Sequence, residues 1–449
     1  MKLKKLTLSN FRGFQRFECE FNEGINVLVG LNGHGKTTIL DAISIGYGQY
    51  FTALGTGVDR GVRDSEIRIA KHFATDKQAY TMESQFPVSV SCETFPSSVI
   101  EGFPEAWERR RNTKKGRTTQ VKPLKDFAKV LQNWVQSNER VTLPVFGYYG
   151  TGRLWKQKKL SSFKVASLSQ SSRLEGYRDC MDPESSYTAF AEWLREETIA
   201  EVERRLEIVE EAGFSQSALV TGSTVRSRLL GAITTAVNEA LKPSGWSNMR
   251  YSAQNKEIIA THPEQGHVPV SMLSDGVRNM IGMIADIAYR CVRLNPHLED
   301  QAVNQTHGLV LVDEIDMHLH PQWQQLVLGS LVDAFPNIQF VVTTHSPQVL
   351  TTVKKDQILI LTHDSAVTPF GNTFGETSNY VLNHVLGVNS RPPMLYADLL
   401  KQYLCLIESG LGKGDEAAAL RVQLEGLMGP DHSDLMAADR AIKRKDFLG

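Results

Sequence analysis

Gly30-Leu31-Asn32-Gly33-His34-Gly35-Lys36-Thr37, with Thr38 next, fills every fixed position of the pattern G-x-x-x-x-G-K-[ST]. Such a run suits a triphosphate. Its glycines let backbone N–H groups turn inward around phosphate oxygens, and a helix starting near Lys36 points the positive end of its dipole at them. Lys36 then neutralises β- and γ-phosphate charge, and the Thr37 hydroxyl ligates Mg²⁺. A second group, Leu309-Val310-Leu311-Val312-Asp313-Glu314, is an apolar strand ending in two carboxylates. Asp313 is placed to hold the Mg²⁺ shell, and Glu314 to orient and polarise a water for in-line attack on the γ-phosphate. Paired acids also end strands at structural caps, so this signal gains its weight from following Lys36 in the same chain.

Two further groups are weaker taken alone. The strand Phe340–Thr344 ends at His345-Ser346-Pro347, where an imidazole is able to hydrogen-bond the γ-phosphate and report its loss. Leu273-Ser274-Asp275-Gly276-Val277 precedes a long helical run, Arg278 to Arg293. Ser274 reads as an N-cap of that helix. The same helix tip and hydroxyl also suit the γ-phosphate of a nucleotide held by another subunit. Asp316, His318 and His320 invite a metal reading, which is disfavoured because zinc needs four ligands, or three plus water, and no fourth candidate adjoins them.

These groups need an α/β scaffold to bring them together. Strands are expected at Lys5–Leu8 and Phe17–Phe21, joined by Asn10–Phe14. Ile25–Val29 then leads through the glycine loop into a helix over Thr37–Tyr47. Gly308–Val312 and Phe340–Thr343 read as central parallel strands. The stretch from Trp107 to Lys122, rich in Arg and Lys, reads as a solvated basic hairpin tip. Helical periodicity at Phe190 to Val209 and Val225 to Leu241 marks an insertion at 160–245. After Leu361 the pattern is helical to the end.

With 449 residues the chain has room for two or three units. Its 49 Lys+Arg nearly balance 50 Asp+Glu, which argues against a surface coated with basic charge. Neither an apolar signal region nor 18 consecutive apolar residues occurs, so a cytoplasmic location without a membrane partner is expected. Five scattered cysteines without a C-x-x-C pair fit buried thiols in a reducing compartment.

Together the motifs resemble the ABC-type ATPase head of the SMC, RecF and overcoming-lysogenization-defect branch. They occur in the family's order: Asn10-Phe11-Arg12, the Walker A loop, the signature Leu273–Gly276, the Walker B pair Asp313-Glu314 and the switch His345. The resemblance implies an ABC head, a mixed sheet with a P-loop, carrying a helical insertion and an all-helical C-terminal region. It also implies head-to-tail pairing of two copies, each ATP lying between one copy's Walker loop and the other's Ser274 and Gly276. By the same resemblance Arg12 approaches the phosphates and Asp316 lies at the seam. The family's glutamine after the strand before the insertion is absent: Tyr148-Tyr149-Gly150-Thr151-Gly152-Arg153 stands there instead. Asp275, where many relatives carry Gly, is expected to slow ATP turnover.

The insertion is too short for an SMC coiled coil, since helices of some 25 residues reach only about 40 Å. The short head, Tyr148–Arg153, the run Asp313–Pro321 and the helical tail resemble the PtuA family, the ATPases of Septu and retron-associated anti-phage systems. That resemblance implies a separate HNH nuclease as partner, with nucleic acid or a reverse transcriptase and its msDNA as further candidates, and no nuclease activity in this chain. A RecF-like repair clamp acting on DNA is the alternative. The expected organisation is a Walker A lobe (1–159), the insertion (160–245), a lobe with signature, Walker B and His345 (246–374), and a partner-docking tail (375–449).

Overall fold

Apolar, β-branched runs too short for helices build the central sheet. In a computed structural model, which describes residues 1–56, 60–74, 79–96, 102–153, 172–183, 187–212, 225–389, 394 and 396–448, six strands lie in the order β15-β14-β3-β13-β12-β8. They are β3 (Ile25–Val29), β8 (Val145–Tyr149), β12 (Gly308–Val312), β13 (Ile338–Thr343), β14 (Ile358–Leu361) and β15 (Ala366–Val367). The first five run parallel, and β15 returns antiparallel on β14. Every residue of β3, β8, β12 and β13 is buried, as expected for strands covered on both faces.

A second, antiparallel sheet has the order β2-β1-β6-β7, from β1 (Leu3–Phe11), β2 (Phe14–Glu20), β6 (Val88–Thr94) and β7 (Ala106–Arg111). The helix Lys36–Ala53, buried along most of its length, packs on both sheets. Two smaller sheets complete the strands: β4 (Ile69–Ala74) with β5 (Ala79–Ser84), and β9 (Ser247–Ser252), β10 (Glu257–His262) and β11 (Gly266–Pro269) in the order β11-β10-β9.

The basic stretch departs from its sequence reading. Ala106–Arg111 is a strand, and its alternation turns Trp107, Arg109 and Arg111 inward. Arg109 is fully buried; its Nη1 donates to the carbonyls of Ile45 (2.8 Å) and Arg60 (3.2 Å). Arg111 donates to Val62 O and pairs with Asp64 at 2.7 Å. Arg110, Lys122 and the turn carrying Lys114, Lys115 and Arg117 are solvated as expected. A run of charge is a surface signal only where the strand's alternation leaves it outside.

Within the insertion, the helices Tyr187–Ala212 and Val225–Leu241 pack on the helix Asp275–Leu294. The remainder of the expected insertion, apart from 172–183, lies largely outside the described residues. The chain divides into two compact units, Met1–Leu386 and Gly387–Gly449. The segment after Leu361 is not helical throughout. It forms β15 and a connection in which buried Thr373 donates to Val353 O, and then the helix Ser378–His384, still within the first unit. The second unit has helices Ala397–Glu408, Asp415–Met428 and Ser433–Leu448 around Leu400, Tyr403, Ile407, Leu424, Leu435 and Ala438. Arg421 clasps Asp439 through both guanidinium ends, at 2.7 and 3.0 Å. Among the described residues no helix is long and apolar enough to cross a membrane.

Candidate functional site

Four neighbouring parallel strands, β3, β13, β12 and β8, end at one edge of the central sheet, and each delivers one of the motifs there. Such an edge is where open α/β sheets place ligands. After β3, Gly33 (φ +85°) and Gly35 (φ +87°) hold left-handed backbone that side chains disfavour. Gly35 also abuts Phe14: a Cβ there would lie 2.6 Å from the ring. Lys36 opens the helix Lys36–Ala53, and its Nζ donates to the loop carbonyls of Gly30 (3.0 Å) and Leu31 (3.3 Å). Burial lowers the pKa of this ammonium, opposed by the charges of Asp313, Glu314 and Asp316. Asn32 and Gly33 are exposed on the loop, whereas the half-buried His34 places its Nδ1 3.4 Å from Leu361 O.

Thr37 and Asp313 meet although they are distant in sequence. Thr37 Oγ1 donates to Asp313 Oδ2 at 2.7 Å, and Thr343 Oγ1 to Asp313 Oδ1 at 2.6 Å. Thr343 Oγ1 in turn accepts the Glu314 N–H at 2.8 Å. A hydroxyl and a carboxylate oxygen in contact form the hard-oxygen set that Mg²⁺ takes beside phosphates, so the residues fit that ion. Glu314, half-buried, sits at φ +47°, a turn that carries the chain out of β12. Thr343, the last residue of β13, was not singled out from the sequence; its signal is only that a hydroxyl follows the apolar run Phe340–Val342 at the strand's end. His345 follows two residues later and is exposed at the same edge.

Arg12 reaches the first turn of the loop helix, with Nη1 3.5 Å from Thr38 Oγ1. Its guanidinium is tied to carboxylates, pairing with Asp41 at 2.7 Å and Glu66 at 3.1 Å. Arg60 binds the same two acids at 2.9 and 2.8 Å. The three partners escape a local reading because no motif links them. A cavity of about 1050 Å³ opens beside Thr37 and Asp313, with Arg60, Tyr148, Thr151 and Gly152 among its walls. The Arg153 side chain lies outside the described residues.

Ser274 occupies the N-cap position of the helix Asp275–Leu294 and is exposed, but its side chain makes no capping hydrogen bond, contrary to the cap reading. Asp275 pairs with Arg278 one turn on, which offsets its carboxylate charge. Gly276 is buried against its own chain: a Cβ there would stand 2.3 Å from the His318 carbonyl oxygen. Gly276→Ala is therefore expected to destabilise the head by about 1–3 kcal/mol, the usual range for overpacking. Chemical denaturation checks this, and an unshifted midpoint contradicts the contact. The His318 segment is pinned elsewhere too, by Thr344 Oγ1 donating to Asp316 Oδ1 at 2.6 Å and Gln324 Nε2 donating to Leu319 O at 3.0 Å. His320 Nδ1 accepts from Gln322 N at 3.4 Å, and among the described residues no three His, Cys, Asp or Glu side chains gather as a metal site.

Comparison with known proteins finds similarity to ATPases. Residues 5–212 match a family described as an AAA domain, and residues 190–351 another described as an AAA domain, putative AbiEii toxin, type IV TA system. The chain is 25% identical to the retron Vc95 probable ATPase of Vibrio cholerae, over 91% of this chain and 84% of that one. It is 20% identical to the Septu protein PtuA of Bacillus thuringiensis, over 89% and 88%. Among solved structures, an SMC head bound to the C-winged helix domain of ScpA aligns with a TM-score of 0.44 at 18% identity, over 82% of this chain and 98% of that one.

Proposed function

We propose that this chain is an ABC-type ATPase related to SMC and RecF, which binds and hydrolyses MgATP between two copies of its head, as sensor and scaffold of an anti-phage defence complex with a separate HNH nuclease. The observation that carries the nucleotide reading is the Thr37–Asp313–Thr343 chain of hydrogen bonds, which joins the phosphate loop to the carboxylate strand beside Lys36. Bound Mg²⁺ would neutralise charge developing on the β- and γ-phosphate oxygens. Thr37 and Asp313 would hold it. Lys36 grips the phosphates, while Glu314 takes up a proton from the attacking water as it aligns with the γ-phosphorus. His345 faces the γ-phosphoryl group that is transferred to water, and Ser274 of a second copy closes the site with its hydroxyl and helix N-terminus. Arg12 braces the loop helix through Thr38 and Asp41.

The defence role is supported by relatives named as a retron probable ATPase and a Septu protein PtuA, whose lengths are largely covered by the match. The second unit, with a core of its own, is the docking element proposed for the nuclease. A chain ending at Leu386 is expected to keep ATP affinity while losing the co-purifying nuclease. Retention of the nuclease by that shortened chain contradicts the docking role.

One observation favours a second reading, a RecF-like clamp on DNA. With Arg109 and Arg111 turned inward, Lys114, Lys115, Arg117 and Lys122 remain exposed together along one stretch of chain. DNA-stimulated hydrolysis with salt-sensitive duplex binding, and no nuclease partner, is the result that selects it.

A further inference from the structure

Tyr148 and Tyr149 end β8, and the alternation of a strand sends them to opposite faces of the central sheet. On one face Tyr148 Oη donates to Asp41 Oδ1 at 3.2 Å, on the helix that begins at Lys36. On the other, Tyr149 Oη donates to Asp286 Oδ2 at 2.7 Å, on the helix that begins beside Ser274. The Tyr149 carbonyl also accepts the Asp313 N–H at 2.8 Å. One dipeptide therefore bonds to the phosphate-loop helix, to the backbone of the metal-binding carboxylate and to the signature helix.

Neither carboxylate depends on its tyrosine for charge compensation. Asp41 is paired with Arg12 and Arg60. Buried Asp286 is paired with Arg290 at 2.8 Å, and Arg290 is anchored in turn on the carbonyls of Gly176 (2.9 Å) and Arg178 (2.8 Å). Removing either phenol oxygen thus leaves no unpaired buried charge, the costly outcome when a buried pair is broken. The Tyr149 ring is also aimed. Gly147, two residues earlier on the same face, would place a Cβ 2.8 Å from it, so only glycine leaves the ring room to lie there.

We propose that Tyr149, with Tyr148 across the sheet, is a positioning residue that makes the signature helix follow the state of the phosphate site. The proposal rests on the two-copy ATPase reading. A shift at the end of β8, transmitted through Asp286, moves a rigid helix whose tip at Ser274 lies about 18 Å away by helical rise. Packed interiors carry such shifts because they switch between discrete arrangements instead of deforming smoothly.

The test uses the full chain carrying Tyr149→Phe, Tyr148→Phe or both. Tyr47→Phe is the control, since Tyr47 is buried and its hydroxyl has no hydrogen-bond partner among the described residues. ATP affinity, kcat and the thermal midpoint are measured for each. Tyr149→Phe is expected to lower kcat about tenfold, on the scale of a site-to-site coupling, while affinity and midpoint stay with the control. The double variant should fall no further, because both hydroxyls serve one path. A kcat equal to that of Tyr47→Phe overturns the proposal, as does a kcat loss matched by equal losses of affinity and midpoint. If Tyr149→Phe lowers the midpoint, Tyr148→Phe decides by the same split. Wild-type hydrolysis that disappears in Lys36→Ala is the reference. If it is missing, the ATPase reading itself fails; if it is present and both tyrosine variants match the control, only the tether falls.

Discussion

Lys36→Ala is expected to abolish ATP binding, lowering affinity at least about thirtyfold. Removing one charged partner from a buried, hydrogen-bonded contact costs about 2–5 kcal/mol. The geometry gives the reason. Lys36 is nearly buried at the first residue of its helix, held over the loop by two carbonyls and facing the carboxylates of Asp313, Glu314 and Asp316. Alanine leaves those acids beside a polyphosphate with no cation from the loop to offset them. Equilibrium titration with a labelled nucleotide reads the loss, and affinity retained within a few-fold removes the phosphate-loop assignment. Because alanine is a strong helix former at that first helical position, the thermal midpoint should stay close to that of the wild type, which separates lost binding from lost fold.

Glu314→Gln is expected to behave oppositely, keeping ATP affinity while hydrolysis falls about 10²–10⁴-fold, the usual contribution of a positioned general base. Glutamine preserves side-chain shape and leaves the backbone turn at Glu314 undisturbed, including its N–H bond to Thr343. What it loses is the ability to accept the proton of the attacking water. Single-turnover kinetics isolates that step, and with product formation blocked the paired state should accumulate in MgATP. Undiminished turnover would mean that another group, His345 being the first to examine, positions the water.

The parts of this site that could be read from the sequence are those written contiguously. The loop Gly30–Thr37 and the pair Asp313-Glu314 declare themselves because geometry and chemistry reside in neighbouring residues, and the parallel strands that carry them are largely apolar. What escaped reading depends on distant partners. Thr343 holds Asp313 from 30 residues away, and Arg12 meets Glu66 across 54. Arg109 is buried because the carbonyl of Ile45, 64 residues earlier, faces it. In each case a polar residue is neutral in its local pattern and acquires its role from an element that only the sheet order brings near. Ser274 illustrates the reverse error: residue type and position both suggested a capping bond, yet the hydroxyl is exposed and leaves the cap unmade. The second unit's boundary also escaped, because helical periodicity cannot tell that Ser378–His384 packs with the first unit and Ala397–Glu408 with the second.

The central claim is that two copies share each triphosphate, one supplying Lys36 and the other Ser274. An experimental structure of full-length Glu314→Gln protein with MgATP tests it most directly. The account predicts nucleotide on the Gly30–Thr37 loop, with the Ser274 hydroxyl of a second copy about 3 Å from a γ-phosphate oxygen. A nucleotide bound anywhere else, or a Ser274 remote from every neighbouring nucleotide, contradicts it.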